Sequence, residues 1–291
     1  MNWHDVLVRE GRYGSPLPHV IGADGAGVAR ETGEEVVIVP SLWWGDQQAA
    51  PADGWEILGD RVPGTYAEMV QVPADSVAPK PDGWSWPQAA AFPLVGLTTY
   101  RALFTRGRLV GGESVLVLGA GGGVATMAVT LASAAGAHVV VTSSSMEKID
   151  VARSLGANDG VLYGDPDWVS DARAMSKHGN GFDLVIDSVG SWRDAIASLR
   201  PGGRAVVLGA SRGERAELEV RPFYFGRYDL LGTTMGSSHD FASLLRFMKS
   251  ESVPPPLIDA VYSLDDASAA HEHLERGQAV GKVVLHISGV A

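Results

Sequence analysis

At 291 residues, 45% hydrophobic and 20% charged, the chain is long enough to bury a core and to form about two domains. Asp and Glu outnumber Lys and Arg by 34 to 23, and the net charge of -11 argues against nucleic acid or an anionic membrane surface as the main partner. Cysteine is absent, which excludes disulfides, thiolate nucleophiles and cysteine-ligated zinc or iron-sulfur centres.

The opening MNWHDVLVREGRYG is polar and charged, without the apolar segment of a secretory signal, so a cytoplasmic location is expected. From there to about Pro93, short alternating runs such as EVVIVP and YAEMVQVP sit between Gly, Pro and Asp with few helical periods, which predicts a β-rich domain. Within it HVIGADGAGV, residues 19–28, packs Gly22, Gly25 and Gly27 around Asp24. Such glycines invite comparison with a phosphate-cradling loop. No helical period follows them, however, so they read as backbone bends.

Beyond Val115 a β-branched run, a glycine or polar turn and an amphipathic helical stretch recur, the signature of a parallel sheet. Strands are predicted at 115–118, 139–142, 160–163, 183–187, 205–208 and 229–234, with helices near 123–135, 146–155, 167–176 and 191–199. Six strands with intervening helices suit a dinucleotide-binding domain. Val115 to Val141 lacks Lys, Arg, Asp and Glu and holds a GxxxG at Gly119 and Gly123, imitating a membrane span. Its three consecutive glycines and its hydroxyl residues fit a buried strand-helix-strand unit better. After Gly236 come a helix (DFASLLRFMKS), a break at PPP, a second helix near 265–276 and a final strand, GKVVLHI.

The turn after the first of these strands sets Gly119, Gly122 and Ala125 at G-x-x-G-x-x-A spacing, for a tight turn, close approach of backbone to pyrophosphate and close helix-strand packing. Gly123 and Val124 open the helix whose N-H groups and dipole would hold phosphates. At the end of the second strand, VVVTSSSMEK offers the hydroxyls of Thr142, Ser143, Ser144 and Ser145 and the charge of Lys148, with no acid before Glu147. An adenosine 2'-phosphate is accommodated there, which favours NADPH over NADH. The same serines can instead cap the following helix, and both roles can hold together.

With NWHDVLVREGRY, IGADGAGV, GTYAEMVQVP, AAAFPLVGLTTYRAL, the glycine turn, ARSLGA, FDLVIDSVG, LRPGGRAVVLG and GKVVL in this order, the chain resembles the medium-chain dehydrogenase/reductase superfamily over nearly its whole length. Within it the likeness is to the zinc-independent, quinone oxidoreductase-like branch. The resemblance implies an α/β fold: a Rossmann doubly wound parallel sheet at 93–239, and a GroES-like β-rich catalytic domain from 1–92 and 240–291, with the active cleft between them. It also implies an opening β-hairpin ahead of the Asn2 position. That hairpin is missing here, and the expectation is a true start lying upstream, the other reading being an unpaired strand edge.

In zinc-containing relatives, catalytic metal ligands fall where Asn2, Ala23-Asp24 and the Leu94 region stand, and only Asp24 among these could ligate. A catalytic zinc needs three protein ligands, so no zinc is expected, a His4, His19 and Asp24 set being the remaining alternative. His271 and His273, two residues apart, do not share a helix face. The structural zinc lobe of such relatives would lie in PSLWWGDQQAAPADGWEILGD, which has no cysteine.

Without a Lewis acid, the expected reaction is hydride transfer from NADPH to a small electrophile, a quinone or an alkene conjugated to a carbonyl. By resemblance Asn2, Asp5, Tyr13 and Tyr66 surround nicotinamide and substrate, and Val189, Gly190, Gly209, Met235 and Gly236 line the cofactor cleft. Tyr163 matches a residue near the adenosine phosphate. Asn2 is expected to position water or the nicotinamide ribose, and Tyr13 and Tyr66 serve equally well as packing aromatics. A homodimer is expected. The alternatives are alcohol dehydrogenase activity with an unusual metal site, and nucleotide binding with little catalysis.

Overall fold

The computed structural model describes residues 1–211 and 213–287, which fall into two compact units. Unit 1 comprises Met1–Leu97, Met235–Arg246 and the chain from Pro255 on; unit 2 comprises Thr98–Thr234 and Phe247–Pro254.

Unit 1 opens on a helix, α1 (Trp3–Arg9), in a region whose sequence reads as β-rich. Its N-terminus explains the difference: Asp5, three residues after the cap, accepts the main-chain N-H of Asn2 at 2.7 Å and satisfies a donor a helix start would otherwise orphan. Strands β1 (Ala26–Val28), β2 (Glu35–Ile38), β3 (Ser41–Leu42), β4 (Glu56–Ile57) and β5 (Val77–Pro79) follow. They form an antiparallel sheet in the order β1-β2-β5 and a separate antiparallel β3-β4 pair. YAEMVQVP does not join a ladder. Its alternation still does its work, because Val70 and Val72 pack on the buried Ile38, Leu42 and Leu58. Helices α2 (Trp86–Ala91), begun by a Ser85-Gln88 capping box, and α3 (Pro93–Tyr100) close this part, and the division between units falls inside α3.

Unit 2 alternates strand and helix: β6 (Ser114–Leu118), α4 (Gly123–Ala134), β7 (His138–Ser143), α5 (Met146–Ser154), β8 (Asp159–Leu162), α6 (Trp168–Ala174), β9 (Phe182–Asp187), α7 (Trp192–Ser198), β10 (Leu199–Val207), α8 (Val220–Gly226) and β11 (Asp229–Gly232). All six strands are parallel, in the order β11-β10-β9-β6-β7-β8, the doubly wound arrangement expected. β10 starts earlier than its apolar run, because Leu199 pairs with Phe182 before a register shift ahead of Arg204. Leu116, Val140, Phe182, Val185 and Leu199, all buried, form the core of this sheet with Ala172 of α6 and Ala195 of α7. Val115 to Val141 thus folds as β6-α4-β7, and among the described residues no helix is long and apolar enough to cross a membrane.

The chain returns to unit 1 through α9 (Ser238–Ser250), then β12 (Ile258–Ser263), α10 (Ala267–Glu275) and β13 (Lys282–His286). β12 pairs with β13 in parallel and has no counterpart among the predicted strands, since its half-buried alternation, IDAVYS, is short and follows a proline break. The N-terminal segment docks on this returning piece: the Met1 nitrogen donates to Val283 O at 2.7 Å, Met1 packs with Ala270 and Val283, and Arg9 forks onto Glu275 at 2.7 and 3.1 Å.

HVIGADGAGV resolves into a crossing of main chains. Gly22 has φ 108°, and a Cβ there would lie 2.4 Å from the Tyr66 ring. Side chains at Gly59 and Gly64 would in turn strike the Gly22 carbonyl at 2.5 and 2.3 Å. The backbone bend read from sequence is therefore a three-segment close approach that only glycine permits. Substituting Gly22→Ala is expected to cost at least about 2 kcal/mol through positive φ and overlap together, measured by denaturant unfolding.

Candidate functional site

Two constellations carry chemistry, one in each unit. In unit 2 the strand order reverses between β6 and β9, where doubly wound sheets bind ligands at the carboxyl ends of the strands. Gly119 follows β6 at φ 102°, and its N-H donates to Thr142 Oγ1 at 3.0 Å, tying the turn to the neighbouring strand. Gly122 caps α4, with Gly123 and Val124 as its first residues and Ala125 buried behind them. A Cβ built on Gly119 or Gly122 meets no atom within 4 Å, so the turn leaves open space in front of an unobstructed helix N-terminus. A dinucleotide pyrophosphate fits this cradle.

At the end of β9, Asp187 is fully buried and its Oδ1 accepts the N-H groups of Val189 and Gly190, each at 2.8 Å, folding these predicted cofactor residues into a fixed turn. Gly209 lies against that turn, since a Cβ there would be 2.2 Å from Ser188 O. Burial pushes the Asp187 carboxyl above the usual range, and the N-H groups of Val189, Gly190 and Ser191 oppose that. Its Oδ2 is buried without a partner. The adenosine end is mixed. Ser145 caps α5, accepting from Lys148 N at 3.4 Å, and the buried Ser143 hydroxyl accepts from Ser145 N at 3.2 Å, so the capping role is the visible one. Ser144 is exposed, Lys148 is half-buried on α5, and Tyr163 follows β8 with its N-H on Ser143 O. Met235 and Gly236 fall in unit 1, the former buried at φ 41°.

The second constellation lies in unit 1 and is built around Asp24. Its Oδ1 accepts the Leu94 N-H at 2.7 Å, at the start of α3, where a helix dipole favours an anion. Its Oδ2 accepts Asn2 Nδ2 at 2.8 Å and Lys282 Nζ at 3.2 Å, and its carbonyl accepts the Thr65 hydroxyl at 2.6 Å. Lys282 also donates to Asn2 Oδ1. An ammonium has only donors, so Oδ1 of Asn2 must face it and Nδ2 must face the carboxylate, which fixes the amide orientation. Side-chain exposure is 3% for Lys282 and 4% for Asp24, so water does not weaken this pair.

Asp5 is equally enclosed, and both its oxygens serve the main chain, on Asn2 N and on Ala23 N at 3.2 Å. Tyr13 stands edge-on to His4 at 4.6 Å and stays partly exposed, with its hydroxyl pushed up by burial. Tyr66 packs on Met1, Ala270 and Val283 and shares a 3.2 Å hydrogen bond with His271 Nε2. Burial, with Asp5 and Asp24 nearby, raises its hydroxyl far above the ordinary value and keeps it a neutral phenol. Sequence reasoning missed Lys282, and it considered His271 only as a metal ligand. The first was legible as a lone lysine beside the apolar run GKVVL; the contact of the second with Tyr66, across 205 positions, had no local signal.

The residues do not fit a catalytic zinc. The His4, His19 and Asp24 set does not form: His19 Nε2 is 3.0 Å from Gly59 O, and both Asp24 oxygens are committed. Among the described residues no group of three or more His, Cys, Asp or Glu could hold a metal. The lobe between Pro40 and Asp60 is braced by indoles: Trp44 meets Trp55 edge-on at 5.8 Å, Trp44 Nε1 donates to Gln47 O at 2.9 Å and Trp55 Nε1 to Ser41 Oγ at 2.8 Å.

Two outcomes follow. Asp187→Asn keeps an acceptor for the turn amides and removes a buried charge, so its stability at neutral pH should match wild type, whereas Asp187→Ala should lose about 2–3 kcal/mol in urea unfolding. Burial, then the neighbouring Arg9 charge, hold His271 below the ordinary 6.5. The unfolded chain therefore binds the extra proton first, and this stability, present above pH 6.5, is lost as pH falls below it. The slope of unfolding free energy against pH on the acid side of neutrality should flatten in His271→Gln.

Known proteins match this geometry. The alcohol dehydrogenase GroES-like domain family matches residues 1–82 and the zinc-binding dehydrogenase family residues 123–250. A zinc-type alcohol dehydrogenase-like protein of Schizosaccharomyces pombe is 31% identical, over 99% of this chain and 88% of its own. The 2-methylene-furan-3-one reductase of Solanum lycopersicum is 34% identical, over 94% of this chain and 64% of its own. The crystal structure of an NAD-dependent alcohol dehydrogenase superposes with a TM-score of 0.92 at 35% identity, over 99% of this chain and 89% of its own. With a GroES-like segment, a doubly wound sheet and relatives aligned over nearly all of its residues, the chain belongs to the medium-chain dehydrogenase/reductase superfamily, whose members are oxidoreductases that bind a nicotinamide cofactor.

Proposed function

We propose that the protein is an NADPH-dependent, zinc-independent reductase of a quinone or of an alkene conjugated to a carbonyl. The observation that carries this reading is the enclosed Asn2-Asp24-Lys282 cluster, in which both carboxylate oxygens already accept hydrogen bonds and an ammonium balances the charge. An alcohol needs a strong Lewis acid or base to become a hydride donor, and this cluster offers a metal no free ligand. An activated alkene or quinone is electrophilic already and needs only a hydrogen-bond donor for the oxygen on which negative charge develops.

When bound, the nicotinamide supplies the hydride. Asn2 would supply the donor: Asp24 takes one of its two Nδ2 hydrogens, which leaves the second for the substrate oxygen. A hydride delivered to the β carbon would push the π electrons onto that oxygen, and water would protonate the α carbon as the carbonyl reforms. Val189 and Gly190, held by Asp187, would border the nicotinamide, and Gly119, Gly122 and the start of α4 would hold the pyrophosphate. NADPH is favoured by the exposed Ser144 beside Lys148 at the end of β7, with Glu147 displaced onto α5. The Solanum lycopersicum relative supports the substrate class, since its name places an exocyclic methylene beside a ring ketone. The net charge of -11 fits a small neutral substrate better than a polyanion.

Initial rates with NADPH and NADH over a panel of quinones, enones and simple alcohols test this. NADPH oxidation by an enone or quinone, with alcohols inert, is expected. Alcohol oxidation that needs added zinc, or cofactor binding without turnover of any acceptor, would contradict it. Asn2→Ala should lower kcat/KM for the best acceptor about 10²-fold while cofactor affinity changes less than about threefold.

A further inference from the structure

We propose that the Lys282 ammonium is the resident cation of the Asn2-Asp24 site, standing where a divalent metal would stand and orienting the Asn2 amide for substrate. The inference rests on the metal-free reduction proposed above and extends it by giving Lys282 a part in orienting the substrate-binding amide. Two oxygens converge on Nζ from distant parts of the chain, Oδ1 of Asn2 and Oδ2 of Asp24. Both are hard donors of the kind that would take an ion. The third position where relatives place a ligand contributes only the Leu94 N-H, which directs a hydrogen at the carboxylate and repels cations. Ala23, beside Asp24, is buried and carries no ligand atom. A metal could enter only by displacing a buried ammonium whose charge Asp24 balances, with the lysine stem enclosed in β13.

The ammonium does more than fill space. Asn2 could present its carbonyl or its amino group to a substrate, and a carbonyl would repel a developing oxyanion. By demanding an acceptor, Lys282 selects the rotamer in which Nδ2 spans from Asp24 to the substrate. Lys282 is thus a positioning residue that acts through Asn2. Its backbone is anchored independently, with Lys282 N on Leu257 O at 2.9 Å, so side-chain substitutions leave the strand in place.

The test uses the full-length protein and variants Lys282→Ala, Lys282→Met and Asp24→Asn/Lys282→Met. Lys282→Ala removes the three outer methylenes and the ammonium, a shape that n-propylammonium reproduces. Its Tm should fall by roughly 10 °C and recover saturably with n-propylammonium chloride, while n-propanol and potassium chloride have no effect. Lys282→Met, matched in shape but uncharged, should lose about 10²-fold in kcat with the best enone, because Asn2 Oδ1 loses its anchor and the Asp24 contact alone holds the amide. Where that variant fails to fold, the double variant, which removes both charges, should fold and show the same loss. Zinc chloride titrated onto wild type should not bind stoichiometrically. One tightly bound zinc per chain, failure of n-propylammonium to restore Tm, or wild-type kcat in a folded Lys282→Met or double variant would each overturn the proposal. The thermal rescue and the zinc titration need no substrate, so they stand or fall separately from the assignment of the reaction.

Discussion

One buried carboxylate organises unit 1. Asp24 receives the side chain of Asn2 from the N-terminal segment, the Leu94 N-H from the start of α3 and the Lys282 ammonium from the last strand, while Thr65 holds its carbonyl. Segments separated by as many as 280 positions meet at two oxygen atoms. A buried charge is costly unless each lone pair is satisfied, and a satisfied one admits few alternatives. The glycine crossing at Gly22, Gly59 and Gly64 brings the chain close enough for Thr65 to reach Asp24, and Asp5 fixes Asn2 and Ala23 on either side. Structure and site here are the same set of bonds.

That arrangement restricts the chemistry available. A metal-centred mechanism asks for open coordination and several lone pairs aimed at one point. The cluster instead aims donors and a fixed ammonium at one carboxylate, and the group left over is a neutral amide N-H. Such a donor can stabilise charge forming on a conjugated carbonyl or quinone oxygen, but it is too weak to make an alkoxide from an alcohol. The lobe near Trp44 and Trp55 follows the same rule, with indole N-H groups and ring packing bracing a loop that has no thiolates.

The sequence made the two units unequally legible. Strands of a parallel sheet are buried on both faces and appear as unbroken β-branched runs, so the six strands of unit 2 and the four helices between β6 and β10 could be placed within a few residues, as could the turn at Gly119, except that β10 begins at Leu199, ahead of its apolar run. Unit 1 depends on partners far away in the chain. α1 is decided by a cap rather than by its apolar spacing, YAEMVQVP reaches the core without a ladder, and β12 is too weakly alternating to stand out. Asp24 drew attention because of its glycines, yet its role could not be read without Lys282, and neither could the bonds by which the buried Asp5 holds the main chain at Asn2 and Ala23.

The central claim is that hydride reaches an electrophile activated by Asn2, with a lysine in the place of a metal. The most direct measurement is NADPH-dependent turnover of an enone by protein dialysed exhaustively against a strong chelator, with metal content determined on the same sample. The account predicts undiminished turnover at negligible zinc content. Turnover lost on chelation and restored by one equivalent of zinc would contradict it.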